Sequence, residues 1–160
     1  MRSWHNPAPD PAVYVAVGRV LPLNPKGRNL GWLLTMDRLQ NATLSLLRIM
    51  TAFLFMPHGA QKLFGVLEGN AAELVSQRGL AGVLEFFGGF ALLVGLFTRP
   101  VAFVLSGLMA AAYFIAHAPR GFWPILNAGE LAALYCFVFL VLAAKGGGTW
   151  SLDYWIRRKK

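Results

Sequence analysis

Four long apolar stretches constrain the fold of this chain more than any other feature. Each is close to the ~20 residues that cross a ~30 Å hydrocarbon core as an α-helix. Only 14% of the residues are charged, against about 25% in a soluble domain. The sequence therefore predicts an all-α integral membrane protein, a bundle of four transmembrane helices. The predicted spans cover approximately residues 44–64, 80–97, 101–118 and 127–144.

The positions of the basic residues predict the orientation of this bundle. The formal net charge is +8, and most of the Lys and Arg residues lie in the first 48 positions and in the tail 157–160. An even number of spans places both termini on one side, and an excess of Lys and Arg marks the cytoplasmic side. We therefore expect both termini in the cytoplasm. Nucleic-acid binding is disfavoured, because it needs a basic face on a folded module.

The segments outside the spans are interpreted as a leader and a tail. Residues 1–40 are basic and rich in proline, do not show the order of regions of a signal peptide, and are expected to be poorly ordered. An alternative is that translation starts at Met36, just before the first span. Residues 41–146 form the predicted membrane domain. Residues 147–160 carry aromatic and basic side chains and form the expected interfacial tail on an anionic leaflet.

The single cysteine, Cys136, lies within an apolar run. One thiol cannot form an intramolecular disulfide or a CxxC redox couple, which excludes thiol-relay chemistry within one chain. We expect Cys136 to pack as a small hydrophobic residue. The sequence predicts no metal site.

A polar run at the end of the first span is the strongest indication of a functional site. His58, Gln61 and Lys62 are three and four residues apart, so they share one face of a helix. Polar groups at the end of a helix of this length are costly in lipid, and such groups usually mark a function.

The expected topology places further polar residues at the same depth. Spans one and three run outward and spans two and four begin outside, so Glu85, His117 and Glu130 fall in the same outer layer as the first-span residues. Tyr113 is one turn from His117 and within reach of the same site. Arg48 lies instead in the inner part, where we expect it to extend towards the interface or to pair with carbonyls at helix ends.

Structural roles are the alternative for these residues. Buried charges in lipid need partners whatever the function, so Lys62 can form an ion pair with Glu85 or Glu130 that only holds helices together. Gln61 fits a hydrogen bond between helices equally well, and Tyr135 fits packing of the bundle.

Four sequence blocks resemble the DoxX family of small membrane proteins. In chain order they are HGAQKLFG at 58–65, LEFFGG at 84–89 with GLFTR at 95–99, GFWP at 121–124 with NAGEL at 127–131, and SLD at 151–153. The resemblance covers about residues 44–153. One departure is Ala128, where we expect glycine in the family pattern.

The resemblance implies a small four-helix membrane protein of a bacterium or an archaeon, and we expect this one in a bacterial inner membrane. The family takes its name from a subunit associated with a terminal quinol oxidase and thiosulfate:quinone oxidoreductase. Some members are linked to oxidative-stress and thiol-redox complexes. The resemblance brings no catalytic assignment, so whether the protein is an enzyme stays open. The catalytic candidates are His58, Glu85 and Glu130.

The leading hypothesis is a redox-associated membrane subunit with a quinone or quinol site near the outer side of the bundle. Side-chain donors can bind the carbonyls of a quinone, and carboxylates can accept the protons released when a quinol is oxidised. A haem held by the two histidines is a weaker alternative, because two imidazoles at similar depth are necessary but not sufficient. The cofactor-binding candidates are His58, Gln61, Lys62, Tyr113 and His117.

Two other functions stay open at the level of the sequence. A non-catalytic scaffold or assembly factor would recruit redox or oxidative-stress enzymes through the basic tail and the loops. A small-molecule transporter or channel would need an oligomer, because four short spans are few for alternating access. The expected partners are the lipid bilayer, other membrane-associated redox proteins and a second copy of the chain.

Overall fold

A computed structural model describes residues 30–159, and these residues are helical with connecting turns and contain no strand. The predicted all-helical fold class is confirmed for this part of the chain. Residues 40–160 form one compact unit, and its boundary with the preceding unit falls between Leu39 and Gln40. The helices are α1 (Leu30–Phe64), α2 (Gln77–Val94), α3 (Thr98–Ala112), α4 (Pro124–Asn127), α5 (Glu130–Lys145) and α6 (Leu152–Arg158).

Three helical segments are long and apolar enough to cross a membrane, judged by length and composition. They are Leu33–Phe64, Gln77–Val94 and Thr98–Arg120. The sequence predicts a fourth span at 127–144, whereas α5 begins only at Glu130 and has 16 residues. The delay has a local cause: Ala128 adopts a left-handed conformation with φ 57°, and the Asn127 side chain accepts a hydrogen bond from the backbone N–H of Gly129 at 2.8 Å.

The first helix starts earlier than the predicted span. The sequence places this span from residue 44, but α1 begins at Leu30, because no proline interrupts the chain between Leu30 and Pro57. Residues 30–40 of the predicted leader are therefore helical. Residues 1–29, which make up the rest of that leader, lie outside the described residues.

The third span contains a change of helix type. After α3, residues Tyr113–His117 form a π-helical turn, in which the N–H of Ala118 donates to the carbonyl of Tyr113. A 3₁₀ turn, Ala118–Arg120, follows. Single π-helical turns inside helices occur frequently at functional sites, and this one ends at a predicted site residue.

An aromatic and aliphatic core holds the helices of the second unit together. The ring of Phe55 on α1 meets the edges of Tyr135 and Phe139 on α5, with ring centroids 5.0 and 4.8 Å apart. Offset and edge-to-face aromatic pairs of this kind add about 0.5–1.5 kcal/mol beyond their buried area. Leu92 from α2 and Leu105 from α3 belong to the same buried cluster.

Arg48 is buried at the other end of the core, where its hydrogen bonds join several segments of the chain. Its side chain on α1 has no exposed surface. Its Nε donates to the carbonyl of Gly147 at 3.0 Å, its Nη2 to that of Trp150 at 2.6 Å, and its Nη1 to those of Leu92 and Leu93. The sequence allowed Arg48 either to extend towards the interface or to pair with carbonyls at helix ends. The structure shows the pairing with carbonyls.

Asp153 completes this end of the fold. Its carboxylate accepts hydrogen bonds from the N–H groups of Phe97 at 2.8 Å and Thr98 at 2.7 Å, which are unsatisfied donors at the start of α3. The N–H of Asp153 donates to the carbonyl of Gly95 at 3.0 Å. The start of the predicted interfacial tail is therefore part of the folded bundle.

Replacing Arg48 by Met is expected to lower the free energy of unfolding by about 3 kcal/mol or more, because each buried carbonyl left without a donor costs about 1–3 kcal/mol. Lys in this position is expected to rescue only part of the loss, since an ammonium keeps the charge but not the planar fork. Thermal unfolding in detergent would measure both variants. Arg120→Met, at an exposed position, is the control; equal effects at both positions would contradict this role.

Candidate functional site

A cavity of about 290 Å³ contains most of the polar residues singled out in the sequence. Its volume lies at the lower limit of ligand pockets, which run from about 300 to 1,000 Å³. The wall combines polar and apolar side chains from α1, α2, α3, the π-helical turn and α5. The lining residues are Phe55, His58, Lys62, Glu85, Met109, Ala112, His117, Ala128, Leu131, Ala132 and Tyr135.

An ion pair between α1 and α2 forms one wall of this cavity. The ammonium of Lys62 donates to the Oε1 atom of Glu85. The two helices approach closely because both carry glycine at the crossing. A Cβ on Gly59 would lie 2.8 Å from the carbonyl oxygen of Gly82, and one on Gly82 would lie 2.9 Å from the Cβ of Lys62. The glycines therefore bring the cation to the carboxylate.

The second carboxylate oxygen of Glu85 is the most unusual atom of the site. The residue is 3% exposed, and its Oε2 atom is buried without a hydrogen-bond partner among the described residues. A buried acceptor without a donor costs about 1–3 kcal/mol, and more when it is charged. The site therefore has an unmet requirement for a proton or for a donor from a bound molecule.

The hydrogen bond of His117 determines which of its ring nitrogens carries a proton. Its Nδ1 atom lies 3.1 Å from the backbone oxygen of Asn127. A carbonyl oxygen only accepts, so Nδ1 must be the donor. In the neutral imidazole the other nitrogen, Nε2, is then an acceptor. A neutral His117 therefore contributes a second acceptor group to the residues that line the cavity.

Asn127 organises the loop that carries this carbonyl. The Asn127 side chain is buried. Its Nδ2 atom donates to the carbonyl of Gly121 at 2.8 Å, and its Oδ1 atom accepts from the N–H of Gly129. The sequence placed Asn127 only at the start of the fourth span. The signal that could have revealed its role is the Asn-Ala-Gly order, because Asn often bonds the backbone two residues ahead in turns.

Three predicted site residues lie outside the lining of the cavity. The amide of Gln61 donates to the carbonyl of Leu67 in the following loop at 2.9 Å. Glu130 begins α5 and is exposed. The ring of Tyr113 stacks on that of His117 with centroids 6.4 Å apart, and a Cβ on Gly129 would lie 2.7 Å from its Cε2 atom. Tyr113 thus supports His117 from the side.

His58 and Tyr135 complete the polar lining. His58 precedes Lys62 by one helical turn on α1, as the spacing predicts, and both line the cavity. Tyr135 was interpreted from the sequence as packing. The structure shows it packed against Phe55 and also lining the cavity. Its position one turn before the buried Phe139 on α5 is the pattern that could have placed it on the inner face.

The three long apolar helical segments are those of a helical membrane protein. The sequence model of the DoxX family matches residues 43–118. An uncharacterised protein of Haemophilus influenzae (strain ATCC 51907 / DSM 11121 / KW20 / Rd) is 44% identical over 117 residues, which cover 69% of this chain and 87% of the relative. No solved structure matches the chain significantly. The chain belongs to the DoxX family, as its sequence blocks predict.

A double-mutant cycle on Lys62 and Glu85 tests whether the pair is energetically coupled. Lys62→Met is expected to lower the free energy of unfolding by about 3 kcal/mol, because it leaves a buried carboxylate without its cation. Glu85→Gln should cost less, and the double variant should cost less than the sum of the two. Thermal unfolding in detergent measures the cycle. Glu130→Gln is the matched acidic control at an exposed position, and additive losses would refute the coupling.

Proposed function

We propose that α5 crosses the membrane as a fourth span and that both termini lie on the cytoplasmic side of a bacterial inner membrane. At 1.5 Å per residue its 16 residues extend ~24 Å, which a bilayer accommodates by local thinning. Large apolar side chains are exposed along its whole length and need lipid around them. They are Leu131, Leu134, Phe137, Leu140 and Val141.

Reporter fusions test this topology. Green fluorescent protein fused after Lys160 is expected to lie in the cytoplasm and to fluoresce in bacterial cells. Fused after Gly121, it is expected to be exported in unfolded form and therefore to stay dark. With three spans, the two fusion points would lie on the same side and give the same signal. Alkaline phosphatase at both positions is the control, because its activity should show the opposite pattern.

We further propose that the cavity binds the head group of a quinol, and that the protein is a quinone-linked membrane redox subunit. The observation that carries this proposal is the Oε2 atom of Glu85, which is buried without a hydrogen-bond partner among the described residues, on a residue that lines the cavity. A hydroxyl donor from a ligand would satisfy it with a charge-assisted hydrogen bond.

The distribution of donors and acceptors favours the reduced form of such a ligand. Oε2 of Glu85 and Nε2 of His117 are both acceptors. A quinol carries two O–H donors, whereas a quinone offers only acceptors. The ammonium of Lys62 already donates to Glu85. The number of acceptors thus equals the number of hydroxyl groups in a quinol.

Apolar side chains supply the rest of the proposed site. Phe55, Met109 and Leu131 line the cavity beside the polar groups. Binding sites for small molecules typically combine such apolar walls with a few polar groups that fix the orientation of the ligand. The small volume fits a ring-sized head group, and an isoprenoid tail would extend into the lipid.

The proposed reaction is the oxidation of the quinol to the quinone. Two O–H bonds break, one proton goes to the carboxylate of Glu85, and the other goes to Nε2 of His117, which becomes an imidazolium. The two electrons pass to a partner redox protein, which the proposal requires as the oxidant. His58 lies on the same wall and is the proposed next acceptor for a proton leaving the site.

Binding of decylubiquinol and decylubiquinone to the purified protein, followed by intrinsic fluorescence under anaerobic conditions, tests the proposal. The quinol is expected to bind more tightly than the quinone. Glu85→Gln should weaken quinol binding by about 10-fold or more, because a hydrogen bond to a charged group contributes about 1.5–3 kcal/mol. Glu130→Gln, which removes a carboxylate outside the cavity, should bind the quinol as the parent protein does.

The same measurements separate the other functions. A scaffold would bind neither compound, and its co-purifying proteins would be unchanged by Glu85→Gln. A transporter would show flux of its solute in proteoliposomes without quinol binding. Equal affinities for quinol and quinone, or unchanged quinol binding by Glu85→Gln, would refute the proposed site.

A further inference from the structure

A second cavity lies at the end of the bundle where Arg48 and Asp153 hold the chain together. Its volume is about 350 Å³. It is bordered by α1, the first turn of α3, the end of α5, the glycine loop 146–148 and α6. The lining residues are Asn41, Arg99, Lys145, Gly146, Gly147, Gly148, Thr149, Ser151, Asp153, Tyr154 and Arg157. The polar cavity of the proposed quinol site shares none of these residues.

The charge of this second cavity is strongly unbalanced. Three cationic side chains, Arg99, Lys145 and Arg157, line it together with one carboxylate, Asp153. Both oxygens of that carboxylate accept backbone N–H groups of the turn before α3. Within the part of the chain that the structure describes, the one salt bridge joins Lys62 and Glu85. None of these three cations therefore forms a salt bridge with a carboxylate of the described residues.

The position of Arg99 is unfavourable for the isolated protein. It is the second residue of α3, and the positive end of a helix dipole disfavours a cation there. The guanidinium lies over the glycine loop, since a Cβ on Gly146 would be 3.4 Å from its Nε atom. An anion in the cavity would be attracted to both the guanidinium and the helix terminus.

The glycine loop is shaped and held in place before any ligand binds. Gly146 and Gly148 have φ angles of 91° and 74°, in the region that glycine adopts without strain. Arg48 fixes the carbonyls of Gly147 and Trp150 from the inside of the bundle. A preorganised wall reduces the ordering cost of binding.

The surroundings of the cavity indicate the level of the lipid head groups. Trp150, Tyr154 and Trp155 are all exposed around it, and Trp and Tyr are enriched at membrane–water interfaces. An anion bound here would therefore lie at the depth where the phosphates of a bilayer lie.

We infer that this cavity binds a phosphate group with net negative charge, and that the head group of an anionic phospholipid is its occupant in the membrane. Arg99 and Arg157 provide planar donors that match phosphate oxygens, and Lys145 adds a point charge. The basic tail then binds an anionic lipid at a defined site in the fold, in addition to its general attraction to an anionic membrane surface.

Lipid binding to the purified full chain in detergent tests this inference by native mass spectrometry. Phosphatidylglycerol is expected to bind, and zwitterionic phosphatidylcholine to bind at least several-fold more weakly. Arg157→Gln should weaken phosphatidylglycerol binding about fivefold, the effect of one cation near a lipid surface. Arg158→Gln is the matched control: it removes the same charge from the next residue of α6, which does not line the cavity, and should bind as the parent does.

Arg99→Gln provides a second variant on a different helix and should weaken binding like Arg157→Gln. Inorganic phosphate is added as a competitor of the lipid. If millimolar phosphate displaces phosphatidylglycerol, the cavity recognises a phosphate group as proposed, but its occupant is free phosphate and not a lipid head group. If Arg157→Gln and Arg158→Gln weakened phosphatidylglycerol binding equally, the lipid would be held by general electrostatic attraction to the basic tail. That result would overturn the proposed site. Phosphatidylcholine binding as tight as that of phosphatidylglycerol would overturn it as well.

Discussion

The hydrogen bonds of Arg48 join α1 to the end of α2 and to the loop after α5. Among the described residues no carboxylate forms a salt bridge with this buried guanidinium, and backbone carbonyls accept its N–H groups. Two of these carbonyls, at Leu92 and Leu93, belong to a helix C-terminus, which carries partial negative charge. The arrangement satisfies a buried cation and unsatisfied helix-end acceptors at the same time. It also fixes the segment from which Asp153 reaches the start of α3.

The general fold could be predicted from the sequence because apolar length is a local property. The predicted second and third spans agree with the helical segments Gln77–Val94 and Thr98–Arg120 to within three residues at each end. The late start of α5 could not be predicted, because Ala128 occupies a left-handed conformation that favours glycine. The carbonyl partners of Arg48 could not be predicted either. Leu92 and Trp150 are distant from Arg48 in sequence, and every residue type has a backbone carbonyl, so no sequence pattern identifies the acceptors.

The sequence predicts a common depth for the candidate site residues, but it does not predict how their helices are rotated about their axes. Topology places His58, Glu85, His117 and Glu130 in one layer, yet it does not say which faces meet. Glu130 is exposed because α5 only begins there. Gln61 is directed to the following loop, where Gly69 packs against it, although it shares a helical face with His58. Such differences depend on helix rotation and loop path, which spacing alone does not determine.

The π-helical turn that ends at His117 determines how the chain tolerates insertions and deletions. A turn closed by a bond from Ala118 to Tyr113 holds one residue more than an α-helical turn. That extra residue offsets every later side chain by about 100° around the helix axis. Insertions or deletions in this stretch would therefore act as rotations that turn the imidazole towards or away from the cavity, so the length of the helix matters here as much as the identity of its residues.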